Sequence, residues 1–141
     1  MKQNDLKNLK NIFGFDHYRK GQQEIIKEVL EGKDILTVMP TGGGKSLCFQ
    51  LPATLFEGLT LVVSPLIALM QSQVAQLKLL GIKAGCLNSS NSDKENIETL
   101  EMLNNNDLKM LYLAPERLIK QEMIDLLKQQ NFSFEKRKLI S

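Results

Sequence analysis

Met39-Pro40-Thr41-Gly42-Gly43-Gly44-Lys45-Ser46 follows an apolar run, Ile35-Leu36-Thr37-Val38-Met39. It precedes a segment with helical spacing: Leu47, Phe49, Gln50, Leu51, Ala53, Thr54 and Leu55. Strand, glycine-rich turn, then helix is the setting of a phosphate-binding loop. The glycines let the backbone turn tightly and aim its N–H groups inward. A helix opening near Lys45 points its positive dipole end at the same place. In such a loop Lys45 reaches the β- and γ-phosphates, and the Ser46 hydroxyl ligates Mg²⁺. The general pattern has Gly where this chain has Met39, so a plain glycine-rich βα turn is the competing reading.

Outward from that loop, 141 residues make one domain or a piece of one. Hydrophobic content of 43% and charged content of 24% are ordinary for a soluble globular protein. A net charge of +2 admits a nucleic-acid partner without requiring one. Cys48 and Cys86 sit in apolar contexts with no Cys-x-x-Cys pair. That spacing indicates neither a zinc site nor a disulfide framework, and buried free thiols are expected. No apolar run approaches the length that spans a bilayer, and Met1-Lys2-Gln3-Asn4-Asp5-Leu6 has no signal-peptide core. The expectation is no membrane contact and a cytoplasmic place: nucleoid-associated in a bacterium, nuclear in a eukaryote.

The spacing predicts a helix over 5–13 with Leu6, Leu9 and Phe13 on one side, ended by Gly14. A second runs from about Gln22 to Glu31, with Ile25, Ile26, Val29 and Leu30 inward and Gly32 as its stop. A strand over 35–39 leads into the glycine-rich loop and a helix over 45–56. Leu59-Thr60-Leu61-Val62-Val63-Ser64 reads as a strand covered on both faces. Pro65 opens a helix over 66–80, with Leu66, Leu69, Met70, Val74, Leu77 and Leu80 on its buried stripe. Ala84-Gly85-Cys86-Leu87 is a short strand, and Ser92 with Glu95 fits a capping box for a helix over 93–104. Asn104-Asn105-Asn106-Asp107 is a turn, and Lys109 to Ala114 another strand. Pro115 opens a helix with Leu118, Ile119, Met123, Leu126 and Leu127 inward. Residues 132–135 read as a loop. Lys138-Leu139-Ile140-Ser141 looks like the start of a further strand. Strands alternating with helices predict an α/β fold: a parallel sheet with helices on both faces.

A phosphate-binding loop works with an acidic strand whose Asp holds Mg²⁺ and whose Glu polarises water. No apolar run followed by Asp-Glu occurs here; Asp34 precedes a strand and Asp125 lies within a helix. The chain is therefore expected to be the N-terminal part of a longer protein, truncated before its acidic (Walker B) strand.

Four blocks carry a resemblance to the RecQ family of superfamily 2 DNA helicases. They are Phe13-Gly14-Phe15 through Arg19-Lys20-Gly21-Gln22, Met39 through Gln50, Val63 through Met70 with Gln73-Val74, and Leu113-Ala114-Pro115-Glu116-Arg117-Leu118. Cys86-Leu87-Asn88-Ser89 also fits. The family does not use Gly at the place of Met39. Lys20 departs from it, standing where the family often has Pro.

The resemblance implies a RecA-like P-loop NTPase fold. Residues 1–34 would be N-terminal helices with the adenine motif, and residues 35–141 a partial helicase ATP-binding domain. It implies a 3′→5′ DNA helicase of repair and recombination, acting on single strands and duplex junctions with ATP and Mg²⁺. The family's Asp-Glu-Ala-His motif, second RecA-like domain, zinc-binding module and winged helix are not in this sequence, so the chain alone is expected to be inactive. Two other readings compete: a P-loop nucleotide-binding module without motor activity, and a fragment of a DEAD-box RNA helicase. The second is weakened because no Pro-Thr-Arg-Glu-Leu stretch appears.

On the family pattern Gln22 reads adenine, and its carboxamide can pair with N6 and N7 together. A helix cap is its alternative. Phe15 would lie on the base by stacking or else plug the core, and Arg19 would sit beside the base or stay in solvent. Pro40, Thr41, Gly42, Gly43 and Gly44 form the phosphate cradle with the catalytic pair Lys45 and Ser46. His17 is assigned no role. Ser64, Pro65, Leu66, Asn88, Ser89, Pro115, Glu116 and Arg117 would touch the DNA backbone. Hydroxyls, helix-start N–H groups and an arginine suit phosphate oxygens without reading sequence. Ordinary helix capping by Ser64, Pro65, Pro115 and Glu116 accounts for the same residues.

Overall fold

The computed structural model describes residues 2–32, 44–128 and 138–140. The expected strand over 35–39, the loop residues Pro40, Thr41, Gly42 and Gly43, and the expected loop over 132–135 lie outside them. The chain divides into two compact units, Met1–Leu55 and Phe56–Ser141.

The first unit holds α1 (Lys2–Asn11), α2 (Gln22–Leu30) and α3 (Leu47–Leu55). Leu9, Ile26, Leu47 and Leu51 form its core, with Phe13, Tyr18 and Leu30 packed against them. Each such side chain contributes about 1.5–3 kcal/mol when fully buried. Polar bonds tie the helices: Asn8 Nδ2 donates to Thr54 Oγ1 (2.9 Å), and the Tyr18 hydroxyl donates to Asp5 Oδ2 (2.8 Å). Burial first, and the Asp5 hydrogen bond second, push the Tyr18 phenol well above its ordinary range. The expected inward Leu6 is 45% exposed. The helix begins at Lys2, earlier than expected, and its buried side centres on Asp5 and Leu9. Ile25 is only half-buried, one position off the Gln22–Ile26–Val29 stripe.

The second unit is built on β1 (Thr60–Val63), β2 (Ala84–Leu87), β3 (Met110–Leu113) and β4 (Lys138–Ile140), in the order β2-β3-β1-β4 with every pair parallel. The expected strand start at Lys138 is thus a strand beside β1. Side-chain alternation splits β3. Leu111 and Leu113 face Leu103 of α5 (Asp93–Asn104) and Met123 and Leu127 of α7 (Gln121–Lys128). Tyr112 lies between them and points the other way, where its hydroxyl donates to Gln73 Oε1 of α4 (Ile67–Leu79) at 2.8 Å. Helices therefore cover both faces, as the alternation of elements predicts. Gly85 must be small, because a Cβ there would lie 2.8 Å from Thr99 Cγ2 of α5.

Two expectations need correction. The buried stripe of α4 is Met70, Val74 and Leu77, whereas Leu66 and Leu69 are 59% and 40% exposed and Leu80 is also exposed. Leu66 is the extended N-cap and Leu80 the C-cap, so neither sits on the helix, and Leu69 is rotated off the stripe. The single helix expected after Pro115 is two: α6 (Pro115–Leu118) and α7. The Lys120 N–H turns back to the Arg117 carbonyl (3.3 Å), which closes α6 and leaves Ile119 77% exposed, not inward.

Candidate functional site

The three described residues of the glycine-rich loop are Gly44, Lys45 and Ser46. Gly44 has φ +79°, a left-handed backbone that glycine adopts freely. A Cβ on Gly44 would also meet Gln22 Nε2, so a side chain there must push the Gln22 amide aside. The helix begins directly after, with Cys48 N–H donating to the Lys45 carbonyl (3.1 Å) and Gln50 N–H to that of Ser46 (2.9 Å). The N–H groups ahead of Cys48 thus belong to the turn that a helix leaves without intrahelical acceptors. Lys45 is exposed and Ser46 half-exposed. Among the described residues no carboxylate pairs with the Lys45 ammonium. An exposed ammonium beside the first N–H groups of a helix, which have no intrahelical acceptors, has the donor chemistry for phosphate oxygens.

Gln22 is 3% exposed, and its carboxamide is held at both ends. Oε1 accepts from the Arg19 N–H (2.7 Å), and Nε2 donates to the Gly44 carbonyl (3.1 Å). The first bond closes the turn before α2, but it is not a helix cap: the N-cap is Gly21, which has no side-chain cap bond, and Gln22 is the first helical residue. The second ties the segment expected to read the base to the phosphate loop. The two partners also settle which way the amide faces, since an N–H must meet its oxygen and a carbonyl its nitrogen. One N–H and one lone pair of the carboxamide are not engaged by these two bonds. Phe15 is 48% exposed and Arg19 is exposed, so both stand outside the core of this unit. Cys48 is buried one turn into α3, and burial raises its thiol pKa.

In the second unit the strand ends line up. Val63 of β1 pairs with Leu113 of β3, and Leu113 with Leu87 of β2. The segments that follow, 64–66, 88–89 and 115–117, therefore leave the same edge of three adjacent strands. At about 4.8 Å between strands the row is about 10 Å wide. The carboxyl edge of a parallel sheet is where ligands of open α/β folds bind. Pro65, Leu66, Ser89, Pro115 and Glu116 are exposed there, and Arg117 is half-exposed. Ser64 is 2% exposed and its Oγ accepts from the Leu66 N–H (3.2 Å), which closes a local turn ahead of α4; it is not the helix cap, since the N-cap is Leu66 with no side-chain cap bond. Asn88 is fully buried; its Oδ1 accepts from the N–H groups of Ser90 (2.8 Å) and Asn91 (2.9 Å). Its side chain thus shapes the loop, and Ser89 is the member turned outward. Sequence reading missed Asn91 and Asn96, whose carboxamides brace this loop. Their signal was the run of Asn and Ser after Leu87, which favours side-chain-to-backbone turns.

No helix among the described residues is long and apolar enough to cross a membrane. The family model for DEAD/DEAH box helicase matches residues 19–140. The chain is 51% identical over 121 residues to "ATP-dependent DNA helicase RecQ" of Synechocystis, covering 86% of this chain and 25% of that protein. It is 46% identical over 126 residues to the protein of the same name from Haemophilus influenzae, covering 89% and 20%. It thus spans about a quarter or less of the curated relatives it matches. The crystal structure of a hypothetical ATP-dependent RNA helicase from Sulfolobus tokodaii superposes with a TM-score of 0.67 over 89% of this chain and 38% of that one. At 20% identity this shows likeness of fold. The expected RecA-like α/β fold and RecQ resemblance are borne out, and the chain belongs to the DEAD/DEAH box helicase family.

Proposed function

We propose that the chain is the N-terminal ATP-binding part of a RecQ-like 3′→5′ DNA helicase, which couples ATP hydrolysis to DNA unwinding. The observation that carries this reading is the bond from Gln22 Nε2 to the Gly44 carbonyl, because it joins a base-reading amide to a phosphate-binding loop. RecQ-named relatives at about half identity support the DNA motor over a bare nucleotide-binding module or an RNA helicase.

In this reading Lys45 holds the β- and γ-phosphates of ATP, and Ser46 holds Mg²⁺. The backbone of Gly44, with Pro40, Thr41, Gly42 and Gly43, lines the cradle. Gln22 offers its remaining N–H to adenine N7 and its remaining lone pair to the N6 amino group. Guanine has an acceptor where adenine has N6, so it meets lone pair with lone pair. Phe15 stacks on the base and Arg19 packs beside it. When bound, ATP with Mg²⁺ supplies the phosphoryl group whose hydrolysis drives movement. Ser64, Pro65, Leu66, Ser89, Pro115, Glu116 and Arg117 form a row that meets the DNA backbone without reading its sequence. Asn88 serves that row through the loop it closes. The protein works in the cytoplasm: on the nucleoid in a bacterium, or in the nucleus of a eukaryote.

ATP turnover by the intact protein, with and without single-stranded DNA, tests this. Wild type is expected to be strongly stimulated by DNA. Lys45→Ala is expected to lower turnover by about a hundredfold or more, the usual cost of removing a charge-stabilising donor, with melting unchanged. Equal turnover by variant and wild type, or turnover indifferent to DNA, would overturn the proposal.

A further inference from the structure

The loop after β2 is held by a side chain that the row of contacts does not include. Asn91 is half-buried, and its carboxamide reaches three elements. Nδ2 donates to the Cys86 carbonyl at the end of β2 (2.8 Å) and to Asn96 Oδ1 on α5 (3.1 Å). Oδ1 accepts from Gln71 Nε2 on α4 (3.2 Å). Asn96 completes the ring by donating through Nδ2 to the Asn88 carbonyl (3.2 Å). Asn88 in turn closes the turn on Ser90 and Asn91.

Helix α4 follows directly on Ser64-Pro65-Leu66, and Ser89 lies on the loop that this network shapes. One carboxamide therefore links the two segments. A side chain that only closed its own turn would have no need of Gln71, the fifth residue of another element. We infer that Asn91 is a positioning residue for nucleic acid: it does not touch the strand but sets Ser89 at a fixed place relative to the start of α4. Preorganised donors bind phosphate oxygens without first ordering a loop, so freeing this loop weakens engagement while nucleotide chemistry continues.

This inference rests on the DNA-motor reading above. Its test is the concentration of a single-stranded oligonucleotide that half-maximally stimulates ATP turnover by the intact protein. Asn91→Ala is expected to raise that concentration roughly fivefold, the equivalent of one ordinary hydrogen bond, with basal turnover and the KM for ATP unchanged. Gln71→Ala, at an exposed position where nothing packs to unfold, is expected to shift it the same way. The double variant is expected to be no worse than Asn91→Ala, because Gln71 acts through Asn91. Stimulated wild type with Asn91→Ala at the wild-type DNA requirement overturns the inference alone, even if that variant melts lower. Should Asn91→Ala fail to fold, Gln71→Ala at the wild-type requirement overturns it. Wild type that does not respond to DNA at all overturns the motor reading, and this inference with it.

Discussion

Gly44 is constrained twice over. Its φ of +79° disfavours a side chain, and Gln22 Nε2 occupies the place a Cβ would take. Gly44→Ala must either displace the Gln22 amide or shift the loop. The expected cost is about 1–3 kcal/mol of stability, the usual size of a strained backbone position. ATP affinity is expected to fall at least tenfold, because both ends of the proposed nucleotide site move. Calorimetric melting and ATP titration of the intact variant check this; wild-type values in both would contradict it. The demand for glycine at this position was legible from the Gly-Lys-Ser ending. Its second cause was not, since Gln22 lies far along the chain and only folding brings it there. For the same reason the sequence left cap and base-reader as alternatives for Gln22. The fold makes it a brace between the turn at Arg19 and the loop at Gly44, not a cap, while leaving one donor and one acceptor of its amide outside those bonds.

Among the elements, α5 was the most readable, because its boundaries are written in local chemistry. The Ser92 hydroxyl accepts from the Glu95 N–H (3.2 Å), and the Glu95 carboxylate accepts from the Ser92 N–H (3.2 Å). The expected capping box and the span 93–104 are both realised. Ser92→Ala removes a helix cap and is expected to cost about 1 kcal/mol. Denaturant unfolding with an unchanged m-value checks this, and a midpoint equal to wild type would contradict it. Burial was less legible than helicity. Leu66, Leu69, Leu80 and Ile119 have the right residue type for a core stripe yet stand exposed. Apolar character says which side chains can be buried; the helix start and stop decide which ones are. At α6 a single turn-closing bond from Lys120 to Arg117 broke a pattern that reads as continuous.

The whole molecule joins two readings that rest on different physics. The parallel order β2-β3-β1-β4 aligns three strand ends, so segments far apart in the chain share one edge. Alternation of strands and helices was enough to foresee a parallel sheet covered on both faces, but not the strand order or which ends would align. Those follow from long-range pairing, which local pattern does not carry. The proposed nucleotide site depends on one junction, between the Gln22 amide and the loop at Gly44. It is tested most directly by following the backbone amide resonances of Gly44, Lys45 and Ser46 in the intact protein during titration with Mg²⁺-ATP and, separately, Mg²⁺-GTP. The account predicts large, saturable shifts with ATP, together with a shift of the Gln22 side-chain amide, and markedly weaker binding of GTP. Resonances that stay in place with ATP, or that respond equally to the two nucleotides, would contradict it.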